Sequence, residues 1–448
     1  MAEVIVEAEV RLWGRTVGAV VELDNGRIIF EYADDFRRSG LEISPVHLPL
    51  SLAGPQSFEE LQGQRAFEGL PGVLADALPD TFGNRVIRSY FEARGQGERA
   101  LRPVQRLLYV GERGLGALTF HPAEQLGIRA AVQEALEIAG LVANARRIVE
   151  GDADVTIPEI YRISASAGGM RPKAVVLFNR ATREIRSGYA EPREGDVPAL
   201  LKFDGVGDGA TSDELGYPQP YNRVEAAYMR MAAAAGIDGA EVEVLASDGY
   251  AHLIVLRFDI EDPPDVAPDG APEALESAPG EPRRIHQHTF GGLVHVDYHV
   301  PGTSSYEEYL RSIYRLGMPQ ASVEEGFRRM VLNLLAVNQD DHVKNLSFHM
   351  RPDGRWSLTP AYDLTFVKGR GYTAKHQMQV QDKTSGITMA DVHAVAKIFD
   401  IRRANAIVND VRGALDRWED FAADFEVAPE RVTGIRAEID LRARLMAG

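Results

Sequence analysis

The 448-residue chain contains no cysteine. Disulfides, thiolate zinc sites and iron–sulfur clusters are thereby excluded. Positive charge is also short: 49 Lys and Arg stand against 66 Asp and Glu, a formal charge of −17. That balance argues against an autonomous nucleic-acid binder with a broad basic surface. No apolar run reaches the ~18–20 residues of a membrane span. The opening MAEVIVEAEV alternates acidic with apolar residues and lacks the basic start of a signal peptide. These absences point to a soluble, cytoplasmic protein. Neither a G-x-x-x-x-G-K-[ST] loop nor a G-x-G-x-x-G occurs, so P-loop and dinucleotide-binding readings lack support. What is present is ordinary globular composition, 45% hydrophobic and 26% charged, at a length suggesting about two to three domains.

Residues 3–12 and 17–32 alternate apolar and polar positions, and Asp24, Asn25 and Gly26 carry a hairpin-turn signal. Residues 41–94 read as helical with Pro and Gly interruptions, 115–120 as a short strand, and 128–150 as helical by periodicity. From about 160 to 260 strands dominate, at 173–178, 199–203, 242–245 and 252–257. One helix, 222–235, interrupts them, with Gly236 placed as a C-cap. Beyond about 304 helices dominate, broken at 345–350 and 356–358. A mostly-β stretch with one helix, followed by a mostly-α stretch, is the first indication of fold. Residues 261–281 hold seven acidic residues, five prolines and no base. That composition buries too little to offset ordering entropy and reads as a flexible insertion.

The segment 338–345, NQDDHVKN, follows the apolar run MVLNLLAV and precedes the alternating LSFHM. Polar groups on such a junction must be satisfied or exposed, and a cap-rich turn is the plainest explanation. Spacing argues for more. Asp340 and Asn345 stand in the Asp-x-x-x-x-Asn arrangement of a protein-kinase catalytic loop. There the Asp accepts the proton of the attacking hydroxyl and the Asn holds magnesium. Asp363, in LTPAYDL, stands where a kinase places its metal-binding Asp. One carboxylate, one amide and nucleotide phosphates together suit Mg²⁺.

The same logic expects a strand lysine and a helix glutamate upstream. Lys202 in ALLKFD and Glu225 in NRVEAAYMRMAAAA are the candidates, since a lone carboxylate on a nearly all-apolar helix needs a partner. Taken singly, an edge-strand lysine and a charge near a helix N-terminus would explain them. Residues 164–178, SASAGGMRPKAVVLF, supply Gly168 and Gly169 for close backbone approach to phosphate, and Lys173 for charge. His286, His288, His295 and His299 cluster without cysteine, a pattern that packing or polar surface explains better than zinc.

In order, SAGGMRPKAV, LLKFD, VEAAYMRMAAAAGI, VLRFD, NQDDHVKN and LTPAYDL resemble the HipA-family serine/threonine kinases, toxins of bacterial type II toxin–antitoxin pairs. LPDTFGN and LLYVGERGLGALTF extend the resemblance toward the N-terminus. The resemblance implies an α+β, protein-kinase-like two-lobed fold with an N-terminal α+β subdomain. Residues 1–125 would be that subdomain, 126–260 a mostly-β N-lobe with one helix, 261–283 the acidic insertion, and 284–448 a mostly-α C-lobe. It implies ATP and Mg²⁺ as cofactors, Asp340 as catalytic base, Asn345 and Asp363 as metal ligands, and Lys202 as the phosphate-contacting lysine paired with Glu225. His342 and Lys344 would be active-site neighbours. Ser166, Ala167, Gly168, Gly169 and Lys173 would cover the nucleotide phosphates, and backbone at Leu256, Arg257 and Phe258 would meet adenine. Ser166 matches the serine that family members autophosphorylate, which silences the enzyme.

Expected partners are a helix-turn-helix antitoxin (HipB-like), a translation-related protein substrate of the glutamyl-tRNA synthetase type, and DNA only through the antitoxin. No membrane association is expected. Two rival readings are a catalytically silent scaffold or co-repressor and a small-molecule kinase. The complete set of kinase residues weighs against the first, and the large N-terminal region against the second.

Overall fold

The computed structural model describes residues 3–79, 81–124, 140–142, 145, 147, 172–206, 221–247, 249–261 and 283–447. Alternation at the N-terminus becomes a four-stranded antiparallel sheet, β1 (Val4–Leu12), β2 (Arg15–Leu23), β3 (Ile28–Tyr32) and β4 (Leu118–His121), ordered β3-β2-β1-β4. Ala8, Val10, Leu12, Val20, Phe30 and Phe120 fill its inner face. The expected turn closes β2 onto β3, where Gly26 N donates to Leu23 O at 2.9 Å. A second turn, at Trp13 and Gly14 with φ of 49° and 75°, carries no Asn-Gly signal.

The helical reading of 41–94 needs correction. Within it the α-helices are Gly72–Ala75 and Thr81–Glu92, and most of 41–71 runs in turns. Prolines at 45, 49, 55 and 71 prevent continuous helix, because proline lacks the N–H and clashes with the preceding turn. The helix expected at 128–150 lies largely outside the described residues.

The second sheet is antiparallel and five-stranded: β5 (Lys173–Asn179), β6 (Ile185–Ser187), β7 (Asp196–Lys202), β8 (Val242–Ser247) and β9 (Tyr250–Leu256), ordered β6-β5-β7-β9-β8. The short β6 was not legible in the sequence. One face, with Val176, Phe178, Leu201 and Ile254, packs against Phe82, Val86 and Tyr90 of helix Thr81–Glu92. The other face, through Leu253 and Val255, packs against helix Tyr221–Ala234.

Helix Tyr221–Ala234 is buried on nearly every side because it also meets helices Ala404–Leu415 and Trp418–Asp424. Tyr228 links the layers, with its ring 5.3 Å from Trp418 and its hydroxyl donating to Ala336 O at 2.8 Å. Gly236 follows with φ of 81°, as a C-cap glycine should. Two short strands, β10 (Ile260–Glu261) and β11 (Arg283–Arg284), pair antiparallel and bring the ends of the acidic segment together. The remainder of that segment, 262–282, lies outside the described residues. β12 (His286–Thr289), β13 (Ser347–Met350) and β14 (Trp356–Leu358) make a three-stranded antiparallel sheet. Among the described residues no helix is long and apolar enough to cross a membrane.

Candidate active site

Lys202 ends β7 and Lys173 begins β5, and the two are direct cross-strand partners. From the helix on the sheet's inner face, Glu225 reaches Lys202 Nζ at 2.5 Å. Asp363 contacts the same ammonium through Oδ1. Lys202 and Glu225 are buried, so each charge depends on its partners. Burial would lower the Lys202 pKa, but the Asp363 and Glu225 carboxylates reverse that and raise it. Burial would raise Asp363, yet the charges of Lys202 and then Lys173 outweigh it and hold the carboxyl at about 2.

Backbone hydrogen bonds tie the segment that carries Asp363 to the one that leads into Asp340. Segment 361–367 is stitched on both sides: Ala240 N donates to Ala361 O at 2.8 Å, and Gln339 N to Val367 O at 2.9 Å. Val337 and Asp363 both take left-handed conformations, φ 58° and 53°. A β-branched residue in that region is rare, and such conformations persist only where the surroundings over-determine them. Asn345 Nδ2 donates to Asp340 O at 3.0 Å, closing the loop on itself. His342 Nε2 lies 3.9 Å from Asp340 Oδ1, and its ring is 5.2 Å from Tyr298. Tyr362 donates to Lys344 O at 2.8 Å.

Lys173, Lys202, Leu256, Arg257, Phe258, Lys344, Asn345 and Asp363 all line one cleft. Ser166, Ala167, Gly168 and Gly169 lie outside the described residues. Arg257 is not a loose side chain: Asp259 holds its guanidinium at 2.9 and 2.6 Å. The N–H groups of Leu256 and Arg257 donate to Glu241 O and Pro198 O, so these two amides are engaged within the fold.

Several residues at the cleft went unnoticed in the sequence. The N-terminal part contributes Asp76, Leu78 and Leu115–Leu118 to its wall, and Asp259 Oδ2 accepts from Gly116 N at 2.7 Å. Asp76 accepts from Thr289 N and Oγ1, each at 2.7 Å, and sits 2.7 Å from His288 Nδ1. Asp341 is buried beneath the loop that carries Asp340. Its signal was the second carboxylate of the pair, because neighbours on an extended segment point opposite ways.

The histidines serve packing. His286 Nε2 meets Ile43 O at 3.0 Å, His288 Nε2 meets Ser44 Oγ at 3.0 Å, and His295 Nε2 accepts from Gly72 N at 3.0 Å. His299 Nδ1 is 2.7 Å from Asp297. Among the described residues no group of three or more His, Asp or Glu side chains is arranged to hold a metal.

Fold and site define a mixed α+β protein with several small antiparallel sheets and a cleft lined by Lys173, Lys202, Asn345 and Asp363. The chain belongs to the HipA family: residues 165–418 match the HipA-like C-terminal domain and residues 8–121 the HipA N-terminal domain. It is 26% identical over 239 residues to the Sinorhizobium fredii protein named "Putative kinase Y4mE", covering 50% of this chain and 53% of that one. The chain thus spans about half the length of that relative. A second Sinorhizobium fredii protein, "Putative kinase Y4dM", is 26% identical over 369 residues, 80% of this chain and 76% of the relative. Among solved structures, the Shewanella oneidensis MR-1 toxin–antitoxin complex of HipA, HipB and operator DNA matches at a TM-score of 0.64 and 18% identity. That match covers 98% of this chain and 96% of the other, and at such identity the likeness is one of fold.

Proposed function

We propose that this chain is an ATP- and Mg²⁺-dependent serine/threonine protein kinase acting as a toxin. In this reading residues 126–260 and 284–448 form the two kinase-like lobes and 1–125 an added subdomain. The observation that carries it is the meeting of Asp363 and the buried Glu225 on Lys202, at the cleft that Lys202, Asp363 and Asn345 line. The names of both curated relatives support the same chemistry.

The donor set fits magnesium. Asp363 is an ionised carboxylate held at about 2, and Asn345 donates through Nδ2, leaving its amide oxygen as a hard ligand. Once bound, Mg²⁺ neutralises charge on phosphoryl oxygens. Lys202, fixed by two carboxylates, would orient the phosphates, and Lys173 on the neighbouring strand would add charge. Asp340, on its constrained loop, would orient the acceptor hydroxyl and hold its proton on the carboxylate. Ser166 would be the autophosphorylation site, its phosphate repelling nucleotide from the loop.

The solved relative was captured with HipB and operator DNA. This supports a small helix-turn-helix antitoxin as partner, with DNA reached through it, since −17 on this chain opposes direct approach. The family resemblance supports a translation-related substrate of the glutamyl-tRNA synthetase type. Transfer of labelled phosphate from ATP, with and without Mg²⁺, tests the kinase reading. Asp340→Asn should reduce turnover by about 10²–10⁴-fold while nucleotide binding persists. Near wild-type turnover in that variant would remove Asp340 from the mechanism.

A further inference from the structure

A second groove adjoins the cleft, and Lys344 lines both. Residues of the 62–68 loop and Arg106 form one wall, and Tyr298 and His299 the other. Its sign is opposite to that of the chain. Among the described lining residues Arg65, Arg106 and Lys344 stand against a single carboxylate, Glu68, a local positive excess on a chain of −17. Asp297 lies behind this wall, engaged by His299 at 2.7 Å and by Ala66 N at 3.4 Å.

The cations differ in burial. Arg106 is buried, held by Glu68 at 2.6 Å and Asn84 at 3.1 Å, while Arg65 is exposed. Lys344 Nζ lies 5.4 Å from the Tyr298 ring centroid. The Tyr298 ring lies 5.2 Å from that of His342, whose Nε2 is 3.9 Å from Asp340 Oδ1. His342 and Asp340 do not themselves line the groove, but these contacts set the candidate base beside the end that Tyr298 and Lys344 line.

We propose that this groove binds the phosphoacceptor as an extended acidic polypeptide segment and delivers its Ser or Thr hydroxyl to Asp340. The proposal rests on the kinase reading and adds the charge and path of the acceptor. Local complementarity would steer an acidic segment that the overall charge repels. A nucleic acid fits less well: three cations with a carboxylate among them fall short of the roughly 6–10 phosphate contacts of a salt-dependent nucleic-acid binder.

The test uses the full chain, Mg–ATP binding by calorimetry, and phosphorylation of Ser/Thr peptides with acidic, neutral or basic flanks. Wild type should prefer acidic flanks. Arg65→Glu should raise the KM for acidic peptides by about tenfold and lower it for basic ones, an effect on KM more than on kcat. A wild-type chain that binds no Mg–ATP would overturn the kinase reading and this proposal with it. Bound nucleotide with no flank preference, or an Arg65→Glu variant with unchanged peptide KM, would overturn this proposal alone. So would an acceptor modified only when bound to RNA.

Discussion

The hydroxyl of Tyr306 donates to Asp341 Oδ2 at 2.8 Å, and both side chains are buried. The same oxygen lies 3.0 Å from His376 Nδ1, and Oδ1 accepts from Gln377 N at 2.8 Å. Tyr306 accepts in turn from Asn333 Nδ2 at 2.9 Å, and Asn338 donates to Asn333. Burial, then the Asp341 charge, pushes the Tyr306 hydroxyl well above its usual value, so it remains a donor at every working pH. One carboxylate thus fixes the backbone immediately after Asp340 from several directions, and such a network is stabilising only when complete.

Asp341→Ala should therefore leave a buried hydroxyl, a histidine N–H and an amide without their acceptor. The expected destabilisation is about 3–5 kcal/mol, read as a lowered urea midpoint. Phosphotransfer should fall more than nucleotide affinity, since the fixed loop holds Asp340. Tyr306→Phe, which removes one donor, should lower stability by only about 1 kcal/mol. An unchanged midpoint in Asp341→Ala would show that the network supports nothing.

Stability should decline in mild acid before the carboxylates titrate. Burial, with neighbouring histidines adding, holds His286 and His295 down at about 3. An unfolded histidine takes its proton near ~6.5, so below that pH the unfolded chain binds protons that the native chain refuses. The contribution is therefore full above ~6.5 and is lost as pH falls toward 3. Asp259 and Asp363, held at about 2, act lower: their contribution is full above ~3.9 and is lost as pH falls toward 2. Unfolding free energies between pH 4 and 8 test the upper window. His286→Gln, which can still donate to Ile43 O, should flatten it, and an equal slope in both proteins would contradict the assignment.

Much of this arrangement was legible because it depends on local pattern. The β2–β3 turn followed from Asn25 and Gly26, and the pairing of Lys202 with Glu225 from a lone carboxylate on an all-apolar helix. The gathering of Lys202, Asp363 and Asn345 at one cleft followed from spacing and order. Contacts across the N-terminal part were not legible. Asp76 with Thr289 and Asp259 with Gly116 are separated by 213 and 143 positions, and neither pair has a local signature. The same holds for His376, whose partner Asp341 sits 35 positions away. The pattern at 286–299 favoured packing or polar surface over zinc, but the partners of His286, His288 and His295, which are Ile43, Ser44 and Gly72, have no local signature.

Metal dependence should reside in Asp363. Asp363→Ala removes the proposed oxygen ligand, so the gain in nucleotide affinity on adding Mg²⁺ should shrink by tenfold or more, about 1.4 kcal/mol. Calorimetric titration of ATP with Mg²⁺ and with chelator measures that gain directly. A variant that keeps the full metal-dependent increase would place the metal ligand elsewhere.

Lys202 stands between two carboxylates, so its removal should be worse than the loss of one ion pair. Lys202→Met leaves Glu225 buried opposite Asp363 with no intervening cation, an expected loss of about 3–5 kcal/mol. Asp363 then lacks the strongest charge holding it down, so its pKa should rise from about 2. The acid limb of the stability profile should move up with it. Adding Glu225→Gln removes one of the stranded charges and should restore part of the loss, giving a coupling of about 0.5–3 kcal/mol between the two positions. Urea unfolding of the two single variants and the double variant at pH 7 supplies the cycle. Strictly additive effects would mean that Lys202 and Glu225 do not act as a pair, despite the 2.5 Å between them.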